Sequence, residues 1–283
     1  METPHSIQIG AARVTILNAG DLQLRLAGEF ATPEELWRPQ YADVFDRMAR
    51  FPSLSVLIQL AGATTLVDTN DYATTMTPDN EYLIPDYTPP PPIPAQLASL
   101  GFAPETVDHL IITHAHWDHF AGVTQAEGDG FALVYPRARV HLGQADWDDA
   151  EMQAALAQPD SLEARTLGVI HARGLLELIA GERAVAPGVT IIPTPGETPG
   201  HQIVRIQSDG ATAYVLGDLI HHAVEIEHPD WMVKWANPAT MLASRQRLMA
   251  AALPENALLI AAHISTIGQL QQTPDSMRWR EVV

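Results

Sequence analysis

The chain contains no cysteine. That absence excludes disulfides, thiolate metal ligands and a cysteine nucleophile, so any transition-metal site has to be assembled from His, Asp or Glu. Lysine is almost missing too: Lys234 stands alone, and 16 basic residues face 34 acidic ones for a formal net charge of −18. A field of that sign repels phosphate backbones and anionic lipid, which argues against nucleic acid and membrane as partners. The excess acid is read as a solubility device. Apolar runs long enough to span a bilayer are lacking, and Met1 to Gly10 show no basic segment followed by an apolar one, so a soluble cytoplasmic protein is expected. With 283 residues, 46% of them hydrophobic, the chain can bury a large core. It is read as a single domain over 1–283.

What the chain does have is a succession of strand-like runs. Ile7 to Ile16 and Leu22 to Leu26 alternate and are separated by Asn18-Ala19-Gly20-Asp21, which reads as a hairpin. Pro33 to Arg50 has helix-compatible spacing; with the hairpin it makes residues 1–50 a surface element, a lid, or the contact of a homodimer. Leu54 to Leu60 and Thr64 to Asp68 form a second hairpin that ends in an acid. From Asn70 to Pro94 the pattern dissolves, and the run Pro89 to Pro92 fixes an extended path within a long loop. A helix over Ile93 to Leu100, a strand over Ala138 to Leu142 and an amphipathic helix over Leu162 to Ile179 follow. Asn237-Pro238 supplies a cap and a first-turn proline for another helix.

The densest chemistry is Thr113-His114-Ala115-His116-Trp117-Asp118-His119, directly after the apolar run Leu110-Ile111-Ile112. Imidazole and carboxylate hold divalent metals, and on an extended segment residues two apart point the same way, so His114 and His116 can face one ion. Any one of these residues alone is an ordinary surface side chain; four within six positions form a ligand cluster. Later strands deliver more: Val189 to Pro193 runs into Thr194-Pro195-Gly196-Glu197-Thr198-Pro199-Gly200-His201, Ala211 to Leu216 into Gly217-Asp218, and Ala257 to Ala262 into His263.

His-x-His-x-Asp-His after a strand, then Thr-Pro-Gly-x-Thr-Pro-Gly-His, Gly-Asp and a late Ala-His, resembles the metallo-β-lactamase superfamily from about Leu54 to the end. The resemblance implies an α/β fold, a four-layer αβ/βα sandwich of two mixed β-sheets with outer helices, and a dinuclear site at one edge. It assigns His114, His116 and His201 to one metal and Asp118, His119 and His263 to the other, with Asp218 bridging. It places Asp68 behind the ligands as a support. Two divalent ions are implied, zinc foremost, with Mn, Fe or Co also suited to such donors.

A pair of ions about 3.5 to 4 Å apart lowers the pKa of a bridging water to roughly 7. The resulting hydroxide attacks a carbonyl or phosphoryl centre, with Asp118 accepting or shuttling a proton. Within the superfamily, the absent cysteine, the histidine at 116 where flavin-linked diiron enzymes usually carry Glu, the lack of a basic nucleic-acid domain, and a strand-like C-terminus unlike that of glyoxalase II leave the lactonase and methyl parathion hydrolase-like branch. The implied activity is hydrolysis of small esters, lactones or phosphotriesters. A metal-dependent oxidoreductase or dioxygenase on the same scaffold is the alternative, and metal binding without catalysis a third. Two positions depart from the lactonases: His221 stands where a tyrosine is usual, making it either a substrate-side catalytic donor or an ordinary polar residue, and Glu197 replaces a frequent, non-liganding histidine. Trp117 and Phe120, adjacent to the ligands, are expected to line the substrate pocket.

Overall fold

The computed structural model describes residues 1–283, and the alternating run over Ile7 to Ile16 is broken at Gly10 and Ala11 into two strands. β1 (His5–Ile9) and β2 (Ala12–Leu24) pair antiparallel around a turn at Gly10, which takes a φ of 57°. Asn18–Asp21 does not turn the chain; it is a bulge inside β2. Asn18 accepts the Gly20 amide and donates to Asp21, so the irregular residues are satisfied locally and the strand continues.

β3 (Ala49–Leu60), β4 (Ala63–Val67) and β5 (His109–Ile111) follow; beyond a separate hairpin of β6 (Thr124–Glu127) and β7 (Gly130–Leu133), β8 (Arg139–Gly143) and β9 (Leu176–Ile179) complete a seven-stranded sheet in the order β1-β2-β3-β4-β5-β8-β9. β1 to β4 are antiparallel, and β4, β5, β8 and β9 run parallel. The second seven-stranded sheet takes β10 (Arg183–Ala186), β11 (Val189–Pro193), β12 (Gln202–Ser208), β13 (Ala211–Val215), β14 (Leu258–Ile260), β15 (Gly268–Gln272) and β16 (Met277–Glu281) in sequence order, with one parallel pair, β13 and β14.

Period-two burial decides the layers. Val14, Ile16, Val56 and Ile58 from the first sheet meet Ile191, Val204, Ile206 and Val215 from the second in the central core. On the outer face of the first sheet, Leu57, Leu66 and Leu110 pack against Ile93 and Leu97 of the helix Ile93–Ser99 and against Leu167 and Ile170. On the other, Ile203, Tyr214 and Leu259 pack against Met241 and Leu248 of the helix Pro238–Ala252, whose cap Asn237 accepts the Thr240 amide. The four layers are the expected αβ/βα sandwich.

One helix differs from its sequence reading. Residues 162–179 are not one helix: helical turns over Ala164–Ala172 end at Gly174, φ 68°, and the chain leaves as β9. Glycine with positive φ breaks the helix, and Leu176 to Ile179 gain a parallel partner in β8. The helix expected within Pro33 to Arg50 spans Glu34–Phe45, and its Trp37 and Phe45 stack at 4.7 Å and are buried in the same cluster as Trp231. No helix is long and apolar enough to cross a membrane.

Candidate metal centre

Five strand ends converge on one edge of the sandwich. Asp68 follows β4 in the left-handed region (φ 56°) and is buried. Its carboxylate accepts the Thr113 amide at 2.7 Å and the Thr113 hydroxyl at 2.8 Å, and lies 3.0 Å from His119 Nδ1. It therefore fixes the start of the histidine segment after β5 and one imidazole within it. Asp146 ties that segment to the second sheet: its carboxylate accepts the Ala115 amide, the Thr198 hydroxyl and the Gly200 amide. After β13, Gly217 has φ 51°, and a Cβ there would lie 2.7 Å from the Thr113 side chain and 3.0 Å from His201 Nε2. Only glycine lets Asp218 enter beside the histidines. His263, after β14, is oriented by Nδ1 against the Pro52 carbonyl at 2.8 Å.

These placements bring two groups of potential ligand atoms together: His114, His116, Glu197 and Asp218 in one, and Asp118, His119 and His263 in the other. His114 Nε2 and His116 Nδ1 are 2.9 Å apart, and Asp118 Oδ2 is 3.6 Å from His119 Nε2 and 3.4 Å from His263 Nε2. Asp218 faces both groups, with Oδ1 3.3 Å from His119 Nε2 and Oδ2 3.2 Å from His263 Nε2 and 3.7 Å from His114 Nε2. Six of the seven expected ligands are thus gathered. His201 lies behind them, its ring 5.1 Å from that of His114, its Nδ1 on the Thr194 hydroxyl and its Nε2 accepting the Asp218 amide at 3.2 Å. Glu197, not singled out as a ligand from the sequence, occupies the first group, with Oε1 3.5 Å from His116 Nδ1.

The charges in this cluster are strongly coupled. Burial, with His119 and His116 nearby, holds His114 well below the ordinary histidine value, so it presents a neutral ring. Burial alone would discharge His119 also, yet Asp218, Asp118 and Asp68 hold its pKa well above the ordinary value. Burial would raise Asp218, but His263, His119 and His114 pull it well below the carboxylate range. Carboxylates packed this way demand positive charge, which protons or cations can supply, and a metal that binds there displaces protons. His119 Nε2, Asp218 Oδ1 and Glu197 Oε2 are buried without hydrogen-bond partners. Orphaned buried polar atoms of this type are costly unless something occupies the space between them, and the His/Asp/Glu set suits a divalent transition metal. Asp68→Asn, which keeps the shape but drops the charge behind His119, is expected to weaken metal affinity about 10- to 100-fold, measured by chelator competition with the circular dichroism unchanged.

Beside the cluster opens a cavity of about 220 Å³ lined by Leu22, Leu24, Leu26, Phe30, Phe51, Tyr82, Trp117, Val233 and Trp235, with Glu29 and, at its base, His116, Asp118, Asp218, His221 and His263. Residues 26–31 close one side, pinned to the 232–234 segment by a Phe30–Val233 bridge and the Ala31-to-Met232 and Lys234-to-Glu29 backbone bonds. Trp117 lines this chamber as expected. Phe120 does not: it is fully buried in the core beneath the first sheet. Nearness along the chain does not set direction on a helical turn, and the last residue of Trp117–Phe120 points inward.

His221 is 8% exposed and stands between two carboxylates, Nε2 3.4 Å from Glu197 and 3.5 Å from Asp218. Burial would lower its pKa, but Glu197 and Glu225 hold it well above the ordinary value, so the ring keeps its proton.

A family model described as the metallo-beta-lactamase superfamily matches residues 48–263, which contain every ligand candidate above. The chain belongs to this superfamily. Among curated superfamily relatives, an N-acyl homoserine lactonase from Bacillus sp is 30% identical over 113 residues, 40% of this chain and 38% of that protein. Another, from Bacillus thuringiensis, is 23% identical over 167 residues, 59% of this chain and 60% of the relative. A probable metallo-hydrolase from Mycobacterium tuberculosis is 25% identical over 142 residues, 45% of this chain and 41% of its own. The matches thus span less than two thirds of these relatives. Two solved structures share the fold at 20% identity: the hydrolase AbOPH, described as in the beta lactamase superfamily, with a TM-score of 0.78, and the dizinc quorum-quenching lactonase AidC, with a TM-score of 0.77. Each comparison covers 99% of this chain and 97% of the other.

Proposed function

We propose that this protein is a metal-dependent hydrolase of small, uncharged lactones or esters that carry an apolar group. The observation that carries the reading is the pair of ligand groups at the base of an apolar chamber, with Asp218 of the first within 3.3 Å of His119 and His263 of the second. His114, His116 and Asp218 would hold one divalent ion and Asp118, His119, His263 and Asp218 the other, with His201 and Glu197 flanking the first. When bound, such a metal pair activates water at neutral pH and polarises an acyl oxygen. The chain's own groups do the rest. Leu22, Leu24, Leu26 and Phe51 take the apolar part of the substrate and exclude water. Asp118 lines the chamber at its reacting end, where its carboxylate can accept a proton. His221, held protonated between Glu197 and Asp218, is placed to donate to a developing alkoxide.

The lactonase relatives support a lactone over other esters, and the net charge of −18 disfavours anionic substrates. Metal-reconstituted protein should therefore hydrolyse acylated γ-lactones faster than aryl esters or aryl phosphotriesters, with no consumption of O₂. Turnover that requires O₂, or none on any member of that panel, would overturn the reading.

A further inference from the structure

A second cavity, of about 600 Å³, shares only His116 and Trp235 with the apolar chamber. Its lining differs in kind: the carboxylates of Asp146, Asp149, Glu151, Glu163 and Glu197 belong to it, and no lysine or arginine does. Asp146 is occupied by the Ala115, Thr198 and Gly200 donors, and one oxygen of Asp149 accepts the Glu151 amide at 2.8 Å. Arginines pair with acids elsewhere on the surface, as Arg38 does with Glu34 and Arg205 with Glu182, but none reaches Asp149, Glu151 or Glu163. The negative charge of this groove is left without a protein counter-ion.

Two further observations give the groove a direction. Glu197 is 3% exposed and lines the groove but not the chamber. Its Oε1 accepts the Trp235 indole N–H and lies 3.5 Å from His116 Nδ1, while its Oε2 is buried with no hydrogen-bond partner. A buried carboxylate oxygen without a donor is costly unless a cation meets it. The His116 side chain is 35% exposed, whereas the other six expected ligands are no more than 8% exposed. His116 is therefore the ligand that solvent reaches, and the groove is one of its two approaches. Trp235, its ring 6.4 Å from those of His116 and His221, lines both cavities.

We infer that the acidic groove is the entry route for divalent cations: Asp149, Glu151 and Glu163 gather the hydrated ion, and Glu197 passes it to His116. The inference rests on the metal-binding part of the reading above and not on the substrate. A cleft lined by one sign of charge focuses the field, raising the local cation concentration and the association rate. An ion with six waters at about 30 Å³ apiece needs roughly 200 Å³, which the groove provides. The chamber, walled by Leu22, Leu24 and Phe51, would strip that water without replacing it. Metal and substrate thus enter by separate mouths, and the route gives the metal centre the access that a buried site requires.

The test mixes chelator-stripped protein with Co²⁺ and follows uptake by the visible absorption of the bound ion, at low and high salt. The triple variant Asp149→Asn, Glu151→Gln, Glu163→Gln keeps a helix-capping side chain at 149. It should take up Co²⁺ about tenfold more slowly at low salt and lose most of the salt dependence that the wild type shows. A route changes the barrier and not its end points, so release into excess chelator should slow by the same factor, with two ions still bound and Kd kept within about twofold. Glu197→Gln, whose lost charge is buried and little screened, should slow uptake about tenfold at high salt as well. Neutralising the exposed Glu35, Asp43 and Glu105, which line neither cavity, should change uptake less than twofold. Leu24→Trp, which fills the chamber, should slow lactone turnover yet leave uptake as it is. Uptake unaffected by the groove or Glu197 variants, equally affected by the remote ones, or blocked by Leu24→Trp would overturn the route. A weaker Kd with an unchanged slow release would overturn it too, since the acids would then only stabilise the bound ion. In each of those cases the protein still binds metal and the hydrolase reading stands; failure of the wild type to take up any divalent ion would sink both.

Discussion

Asp218→Ala should reduce kcat/KM by on the order of 10³-fold or more, about 4 kcal/mol of transition-state stabilisation, and the bound metal should fall from two ions to one or fewer. No other side chain faces His114, His119 and His263 together, at 3.7, 3.3 and 3.2 Å. Removing it leaves three imidazoles without the carboxylate that sets their charge, so both ion positions suffer at once. His119→Ala, by contrast, should empty chiefly one. Metal content by elemental analysis, read beside initial rates, checks the claim. An Asp218→Ala protein that keeps two ions and near-normal turnover would show that this carboxylate does not bridge.

The second large effect concerns stability. Arg245 is fully buried in the helix Pro238–Ala252, pairs with the equally buried Glu225, and donates to the carbonyls of Leu219, Pro229 and Trp231. Glu225 in turn accepts the amides of His221 and His222. The pair clamps the segment that carries Asp218 and His221. Burial would raise the Glu225 carboxyl, but Arg245 and His221 hold it at about 2 against an ordinary 4.5. A depressed carboxylate contributes stability above its unfolded value and loses it as the pH falls through the folded one, so the contribution is complete at pH 7. Arg245→Met should cost about 3 to 5 kcal/mol by stranding a buried charge. Without its partner Glu225 takes up a proton well above pH 2, so the deficit in urea denaturation should shrink between pH 7 and pH 5. Adding Glu225→Gln should recover a large part of the loss. A cost under 1 kcal/mol, flat with pH, would mean that the clamp is solvated.

The sequence made the ligand cluster legible because its information is local. His114, His116, Asp118 and His119 lie within six positions after an apolar strand, and the later ligands each end an apolar run, so strand periodicity alone located Asp218 and His263. The same logic recovered strands of both sheets, while their assembly into two sheets was implied by the family resemblance. It failed where direction, rather than position, decides. Phe120 is as close to the ligands as Trp117 is, and only packing shows that it points into the core. Glu197 reads as a loop residue four positions before His201; folding turns its carboxylate into the first ligand group and onto the Trp235 indole. Asp146 and the Glu225–Arg245 pair had no signal at all, since Asp146 bonds residues 31 to 54 positions away and Glu225 meets Arg245 across 20 positions with no period. The apparent helix over 162–179 concealed a strand because a single glycine, Gly174, redirects an apolar run whose spacing suits either state.

The chamber wall has one further consequence. Leu22, Leu24, Leu26, Phe30, Tyr82 and Val233 come from stretches that donate nothing to the ligand groups, and of the stretches that carry those groups only the one after β5 adds an apolar wall residue, Trp117. Reactivity and selectivity are therefore inherited on largely separate stretches of chain. Substitutions in the wall can accumulate without disturbing the ligand frame, so this scaffold can drift between substrates by small, individually tolerable steps while the bond-breaking apparatus stays as it is.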